Sequence, residues 1–289
     1  MPFVIVFVLV LAIPHLRRRF RCSKTTEAKL PVYSTGVPNE IRTSDRHRRN
    51  SSMTGVNAVL VSAAAYIGSI ASFLLASFIP QMPNVPIGCL LPSNNESFRT
   101  WSSSQAILIA LFGFHFTRRA FEVFFVHKYQ RSQTVLDSVG AQMYYWGFSF
   151  WIGWSIRPDA GFENTYLPLF VIGATLFCIG ETGNCIAHVQ LRILRNPHPD
   201  SEEPVGHVIP RNVIFTLVSC PHYTFELVTW LGFVLATWVI ASMTFLLATF
   251  ITLMVYSRRN HQRYLREFDG LEGRELYPTR RKALIPFIY

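Results

Sequence analysis

Charge is what this chain has least of. Only 15% of its 289 residues are Asp, Glu, Lys or Arg, against about a quarter in soluble domains. Half of the residues are hydrophobic and the mean hydropathy is +0.25. That balance excludes an ordinary water-soluble globule. It also excludes a disordered chain, which lacks apolar surface to bury. Cysteine is scarce and scattered, with five residues (Cys22, Cys89, Cys178, Cys185 and Cys220) and no C-x-x-C pair, so neither a disulfide framework nor a zinc cluster is indicated. The chain has no glycine-rich phosphate loop, no G-x-S-x-G elbow, no H-x-x-H-H box and no transporter-like internal repeat. Those absences argue against P-loop nucleotide chemistry, serine hydrolysis and membrane di-iron oxidation. With His198 and His207 isolated, no metal site is expected.

Long apolar segments are what the chain does have. A bilayer core of about 30 Å needs roughly 20 apolar residues in a helix. Val56–Ile79 qualifies and Pro80 closes it; Gln105–Val126 qualifies apart from four ionisable residues. Ala141–Ile156 is shorter and holds seven aromatics, the residues enriched where a helix meets the interface. Tyr166–Gly183 is a further candidate. The stretch from Asn212 runs into Leu227–Tyr256, thirty residues without a charge. At about 45 Å that run is too long for one comfortable span, so 212–256 reads as two helices with a break near Ala236–Ser242. About six spans result, and the fold class is an all-α, polytopic membrane helix bundle.

The net charge of +10 is regional, since ten of the 27 Lys and Arg residues fall within the first fifty positions. Residues 15–55 are basic and polar, and read as a flexible, cytosol-facing arm; nucleic-acid binding is the alternative, but a topology signal fits better. Residues 3–13 (FVIVFVLVLAI) are too short for a standard span, and their basic residues follow rather than precede the apolar stretch, unlike a secretory signal. A short anchor or an amphipathic contact fits that stretch, with a cleaved signal as the alternative. Between residues 80 and 104 the only Lys or Arg is Arg99, and Asn95-Glu96-Ser97 forms a glycosylation acceptor, which works only on a lumenal side. Both signals place the termini in the cytosol.

Three groups of polar residues interrupt the apolar segments, and such residues are costly unless they line a cavity or pathway. His115, Arg118, Arg119 and Glu122 share overlapping faces of one helix. A local Arg–Glu pair could satisfy part of this group, yet two adjacent arginines leave one in need of another anion, which favours a phosphate-bearing ligand. Asn184, His188, Arg192 and Arg195, spaced 4, 4 and 3 apart, form a single stripe. They suit a nucleotide, although a helix end reaching for headgroups is the alternative. The third group is Ser219-Cys220-Pro221-His222-Tyr223-Thr224-Phe225-Glu226, with Trp230 one turn on. Here Pro221 interrupts the backbone within the membrane. A buried Tyr223 hydroxyl can donate to a carbonyl oxygen, or else bond structurally to Glu226.

The stretches HFTRRAFEVFFVHKY (115–129), YYWGF (144–148), GNCIAHVQLRILR (183–195), VSCPHYTFELVTWLGF (218–233) and YLREF…YPTRRKALIPFIY (264–289) resemble the steroid 5α-reductase superfamily. Within it they are most similar to the very-long-chain trans-2-enoyl-CoA reductases of the endoplasmic reticulum. The resemblance runs from about Asn57 to the C-terminus and implies six or seven membrane helices around an NADPH pocket open to the cytosol. It divides the chain into an arm at 1–55 and a reductase domain at 56–289. The implied reaction is reduction of the 2,3 double bond of an acyl-CoA, the last step of each fatty-acid elongation cycle. Tyr223 and Arg118 would be catalytic. Arg119, Lys128, Asn184, His188, Arg192, Arg195, Glu226, Trp230, His261 and Tyr264 would line or support the dinucleotide site. Tyr66, His115, Phe116 and His222 would lie on the substrate side. The implied partners are an acyl-CoA, the bilayer and other fatty-acid elongation enzymes; no nucleic acid is expected.

Three positions depart from that family's pattern. Ala65 stands where the family carries a Glu, Phe116 where it has Tyr, and His222 where many enoyl reductases have Asn. Tyr223 itself favours an enoyl-CoA over a steroid, because the steroid-reducing branch usually has Phe there. The competing readings are a 4-en-3-one steroid or polyprenol reductase, and an inactive scaffold of the elongation complex. Animal enoyl reductases of this kind also begin with a ubiquitin-like β-grasp domain, which residues 1–55 are too short and strand-poor to hold.

Overall fold

The computed structural model describes residues 56–78, 101–129, 133–158, 166–194, 208–271 and 273–289. The expectations for residues 1–55, the Asn95 acceptor and Arg195 lie outside that set. The described chain is all-helical: α1 (Ala58–Phe78), α2 (Ser103–Phe125), α3 (Val135–Ile156), α4 (Leu167–Leu194), α5 (Pro221–Thr237) and α6 (Ile240–Glu267), with one 3₁₀ turn at Val213–Phe215. Helices α1, α4 and α6 are long and apolar enough to cross a membrane. Their outward residues, among them Leu75, Phe78, Ile172, Ile179 and Leu247, are exposed. A lipid-facing surface of this kind belongs in hydrocarbon rather than water.

Local chemistry sets several boundaries. Ser102 caps α2: its Oγ accepts from the Gln105 backbone N–H at 3.2 Å, and Gln105 Oε1 accepts from the Ser102 N–H at 2.9 Å, a reciprocal capping box. The long apolar run breaks where expected, between Thr237 and Ile240. Trp238 takes a left-handed φ of 51° to end α5, a conformation unusual for so bulky a residue. Thr237 and Ser242 share a hydroxyl–hydroxyl bond of 2.8 Å across that turn.

The start of this run needs correction. Residues 212–220 are not part of a spanning helix; they form the 3₁₀ turn and an irregular segment, and α5 begins at Pro221. Proline is well placed in a first helical turn, where its missing N–H would have no partner anyway and its φ is already helical. Pro221 therefore starts a helix instead of interrupting one.

Two compact units emerge from the chain. In the first, whose described residues are 56–61, 129 and 133–144, Val56 and Gln133 exchange backbone hydrogen bonds of 2.9 and 3.1 Å. Gln142 Nε2 donates to the Val61 carbonyl at 2.9 Å in the same unit. The second unit comprises Ser62–Lys128 and Tyr145–Tyr289, and it holds every described candidate site residue. Here α4 and α5 make the most extensive helix pairing among the described residues. Gly173, Gly180 and Gly183 on α4 face α5, and Gly232 on α5 faces α4, so closely that a Cβ at any of them would collide with the opposite helix. Membrane helices lack a hydrophobic drive towards each other and associate through such close backbone packing. Phe73 stacks on Phe112 at 3.9 Å to join α1 and α2, and Trp230 meets Phe245 edge-on at 4.5 Å to join α5 and α6.

Candidate active site

Helices α2, α4 and α5 bring their polar residues into one buried cluster. On α2, residues 115, 118, 119 and 122 share a face, and α4 answers with Glu181, Asn184 and His188, spaced 3 and 4 apart. His115 Nδ1 lies 2.6 Å from Glu181 Oε1. Arg118 donates from Nε to Glu181 Oε2 at 2.6 Å, from Nη1 to Glu122 Oε1, and from Nη2 to Asn184 Oδ1 at 3.0 Å. Arg119 donates to Glu122 Oε2 at 2.7 Å and to the Tyr66 hydroxyl at 3.1 Å, and its Nη1 lies 2.9 Å from His188 Nδ1. From α5, Glu226 accepts from Asn184 Nδ2 at 3.0 Å and from Trp230 Nε1 at 3.2 Å. Glu122, Glu181, Asn184, His115 and Trp230 are almost wholly buried.

This geometry corrects the expectation that one arginine of the pair needs an outside anion. Glu122 and Glu181 engage Arg118 from two helices, and Arg119 rests on Glu122 and Tyr66. With Glu226 included, three carboxylates face two guanidiniums. Buried charges in a medium of low dielectric must be paired, and α4 supplies the counter-charge from within the chain. Asn184 is similarly occupied, because its amide donates to the His222 carbonyl at 2.7 Å and to Glu226. Both donors are thereby committed to protein. The expected Tyr223–Glu226 alternative gives way to Glu226 bonding Asn184 and Trp230.

Glu122, His127 and His188 offer ligand atoms within 4.8 Å of one another. The Arg119 guanidinium lies against both Glu122 and His188, so a metal cation there would face a fixed positive charge at contact distance.

A second polar group surrounds the start of α5. Ser219 Oγ bonds His261 Nδ1 at 2.6 Å and the Tyr277 hydroxyl at 2.7 Å. Tyr277 stacks on Tyr264 at 5.3 Å, and the Arg281 guanidinium lies 5.4 Å from the Tyr277 ring centre. The C-terminal segment is tied down here: Ser219 N donates to the Lys282 carbonyl at 2.8 Å, and Thr224 Oγ1 donates to the Leu284 carbonyl at 2.6 Å. Arg281 is buried, with no hydrogen-bond partner for its Nη1 among the described residues. Tyr223 occupies the first turn of α5 between the two groups. Its ring lies 4.2 Å from that of His222, and its side chain lies beside Asn260 of α6.

Residues 132–289 match the protein family described as 3-oxo-5-alpha-steroid 4-dehydrogenase. The chain belongs to this family. The match takes in α3 to α6, and so Asn184, Tyr223 and Arg281, while Arg118 and Arg119 precede it. Among similar proteins, the very-long-chain enoyl-CoA reductase of Dictyostelium discoideum is 33% identical over 192 residues, covering 65% of this chain and 59% of that one. The trans-2,3-enoyl-CoA reductase-like protein of Homo sapiens is 31% identical over 179 residues, 60% of this chain and 47% of the relative. The 3-oxo-5-alpha-steroid 4-dehydrogenase 1 of Mus musculus is 38% identical over 121 residues, 42% of this chain and 43% of the relative. The matches thus span about three fifths or less of these relatives' own lengths.

Against that family background, the structure brings Tyr66, His115, Phe116, Arg118, Arg119, Asn184, His188, His222, Glu226 and Trp230 together, with His261 and Tyr264 in the second group. Arg192 is half-buried in the last turn of α4 and makes no ion pair among the described residues. Lys128 follows the end of α2. Sequence reasoning overlooked Glu181, although it lies three residues before Asn184 on the same stripe. It placed Ser219 in the third polar group but overlooked Asn260, Tyr277 and Arg281. Arg281 was hidden in the run Arg280-Arg281-Lys282, which reads as a topology signal until its burial is known.

Proposed function

We propose that this chain is an oxidoreductase that uses NADPH to reduce the 2,3 double bond of a very-long-chain trans-2-enoyl-CoA, the last step of fatty-acid elongation. The observation that carries this reading is Tyr223, in the first turn of α5 with its ring 4.2 Å from that of His222 and its side chain beside Asn260. Enoyl-CoA reductases among the similar proteins support it. In the same reading, α2, α3 and α5 also lie in the membrane, both termini face the cytosol, and the membrane is that of the endoplasmic reticulum. Residues 56–289 form the reductase domain and residues 1–55 a basic arm. Other elongation enzymes are its partners.

The residues fit a phosphate-rich dinucleotide. Arg281 has a buried N–H without an acceptor among the described residues, and the reading adds the cations Arg192 and Arg195 together with His261, Tyr264 and Lys128. An arginine fork suits phosphate oxygens. Asn184, His188, Arg119, Glu226 and Trp230 then act by fixing the wall of the pocket. NADPH, when bound, supplies a hydride. Reduction places negative charge on the thioester oxygen, and a donor aimed at that oxygen lowers the barrier. Tyr223 is that donor, with Arg118 as the supporting cation, and Tyr66, His115, Phe116 and His222 bound the substrate side. The buried cluster around Arg118 holds it in place.

Membranes carrying this chain should oxidise NADPH only when a trans-2-enoyl-CoA is supplied. Tyr223→Phe should lower turnover by about 10²-fold or more while NADPH binding persists; unchanged turnover removes Tyr223 from the mechanism. The mouse relative's name supports a second reading, a 4-en-3-one steroid as substrate, and a substrate panel separates the two. A scaffold without activity would show no NADPH binding in a fluorescence titration.

A further inference from the structure

Between α2 and α4 lies a cavity of about 380 Å³ lined by Phe114, Arg118, Cys178, Glu181, Thr182, Cys185 and Ile186. Phe114, Cys178 and Ile186 are exposed on the outer faces of their helices. Helix α4 is one of those apolar enough to span a bilayer, so the mouth faces hydrocarbon. The inner end reaches the Arg118–Glu181 ion pair. Ligand cavities of a few hundred Å³ with apolar walls and a few convergent polar groups are typical of small-molecule sites.

An occupant must therefore be apolar along its length and polar at one end. Arg118 carries five N–H hydrogens, of which three are engaged by Glu181, Glu122 and Asn184. Among the described residues no acceptor takes the other two, which can donate to an acceptor such as the carbonyl oxygen of an acyl thioester. A rigid, fused-ring ligand would need to pass between exposed side chains on two helices, whereas a flexible alkyl chain can thread the slot from the lipid side.

We propose that this cavity is the acyl-chain site, entered sideways from the bilayer, with the chain along Phe114, Cys178, Thr182 and Ile186 and its carbonyl end at Arg118. This rests on the reading of the protein as an acyl-CoA reductase and adds where the chain lies and how it arrives. It gives Thr182, Cys178 and Ile186 a role in chain-length selection that the catalytic residues do not have.

The test uses the full chain in lipid nanodiscs and a long-chain acyl-CoA bearing a diazirine midway along the chain. Photolysis should label residues 178–186 of α4, and excess unlabelled long-chain trans-2-enoyl-CoA should suppress the label about tenfold. Thr182→Trp fills the mouth and should lower labelling about tenfold; Cys178→Trp is the second variant if Thr182→Trp fails to fold. Label confined to other segments overturns the proposal. So does label at 178–186 that competitor does not displace, which would mark ordinary bilayer lipid. NADPH oxidation on the same preparation separates this inference from the functional reading. Competed label without turnover keeps the acyl site and removes the reductase, whereas turnover without label at 178–186 does the reverse.

Discussion

Two arginine-bearing regions of this molecule look alike in sequence and differ in structure. Arg118 and Arg119 form an adjacent pair inside an apolar helix; Arg280, Arg281 and Lys282 form a basic run near the C-terminus. In the first region Glu122, Glu181 and Glu226 surround the guanidiniums, and nearly every polar atom has a protein partner. In the second, Arg281 is buried against Tyr277 with an N–H that none of the described residues accepts. A satisfied buried charge holds helices together, while an unsatisfied one calls for a ligand. Anion-binding capacity therefore lies away from the most conspicuous charges.

That contrast can be broken by substitution. The largest effect should come from Glu181→Ala, which removes the His115 hydrogen-bond partner and one of the two carboxylates that engage Arg118. Removing one partner of a buried ion pair costs about 3–5 kcal/mol, and thermal unfolding in detergent would read it. If the melting temperature is unchanged, the cluster is not structural. Gly180→Leu should cost about 1–3 kcal/mol, because the added side chain meets Thr229 and the Phe225 carbonyl on α5; this also shifts Asn184, one turn along, and should appear in the same melt. Arg281→Ala should do the opposite of Glu181→Ala. Stability is held or gained, since a buried N–H with no acceptor among the described residues is removed, while KM for NADPH rises about tenfold, equivalent to about 1.4 kcal/mol. A loss of stability without a change in KM would make Arg281 another structural cation.

The smallest effect sharpens the comparison at its edge. Tyr66 accepts from Arg119 at 3.1 Å, and its ring lies among Phe116 and Tyr145. Tyr66→Phe removes one hydrogen bond to a charged group, worth about 1.5–3 kcal/mol in a fully buried setting and less where Glu122 still holds the arginine. We expect a loss of about 1 kcal/mol in the melt and a larger relative fall in turnover. Equal losses in both would confine Tyr66 to packing.

Much of the architecture was legible in the residues. The apolar lengths, the break near Ala236–Ser242 and the shared faces of residues 115–122 and 184–192 all come from helical periodicity. The start of α5 was not legible, because hydropathy treats Asn212–Cys220 as continuous with the apolar run beyond it, and only the backbone shows Pro221 opening the helix. The fate of the arginine pair was hidden too, since Glu181 lies 63 positions from Arg118 and no local pattern joins them.

By itself, then, the sequence determined that this is an apolar helical bundle with a few charges grouped on helix faces. Helix period and bilayer thickness are local constraints, and each segment carries them alone. Which charges cancel, which buried N–H finds no acceptor among the described residues and where a cavity opens between α2 and α4 were decided only by tertiary structure. Ion pairing in a low dielectric depends on distances of a few ångströms between residues far apart in the chain. Periodicity fixes a side chain's face but not its partner, and the close glycine packing of α4 on α5 sets those partners.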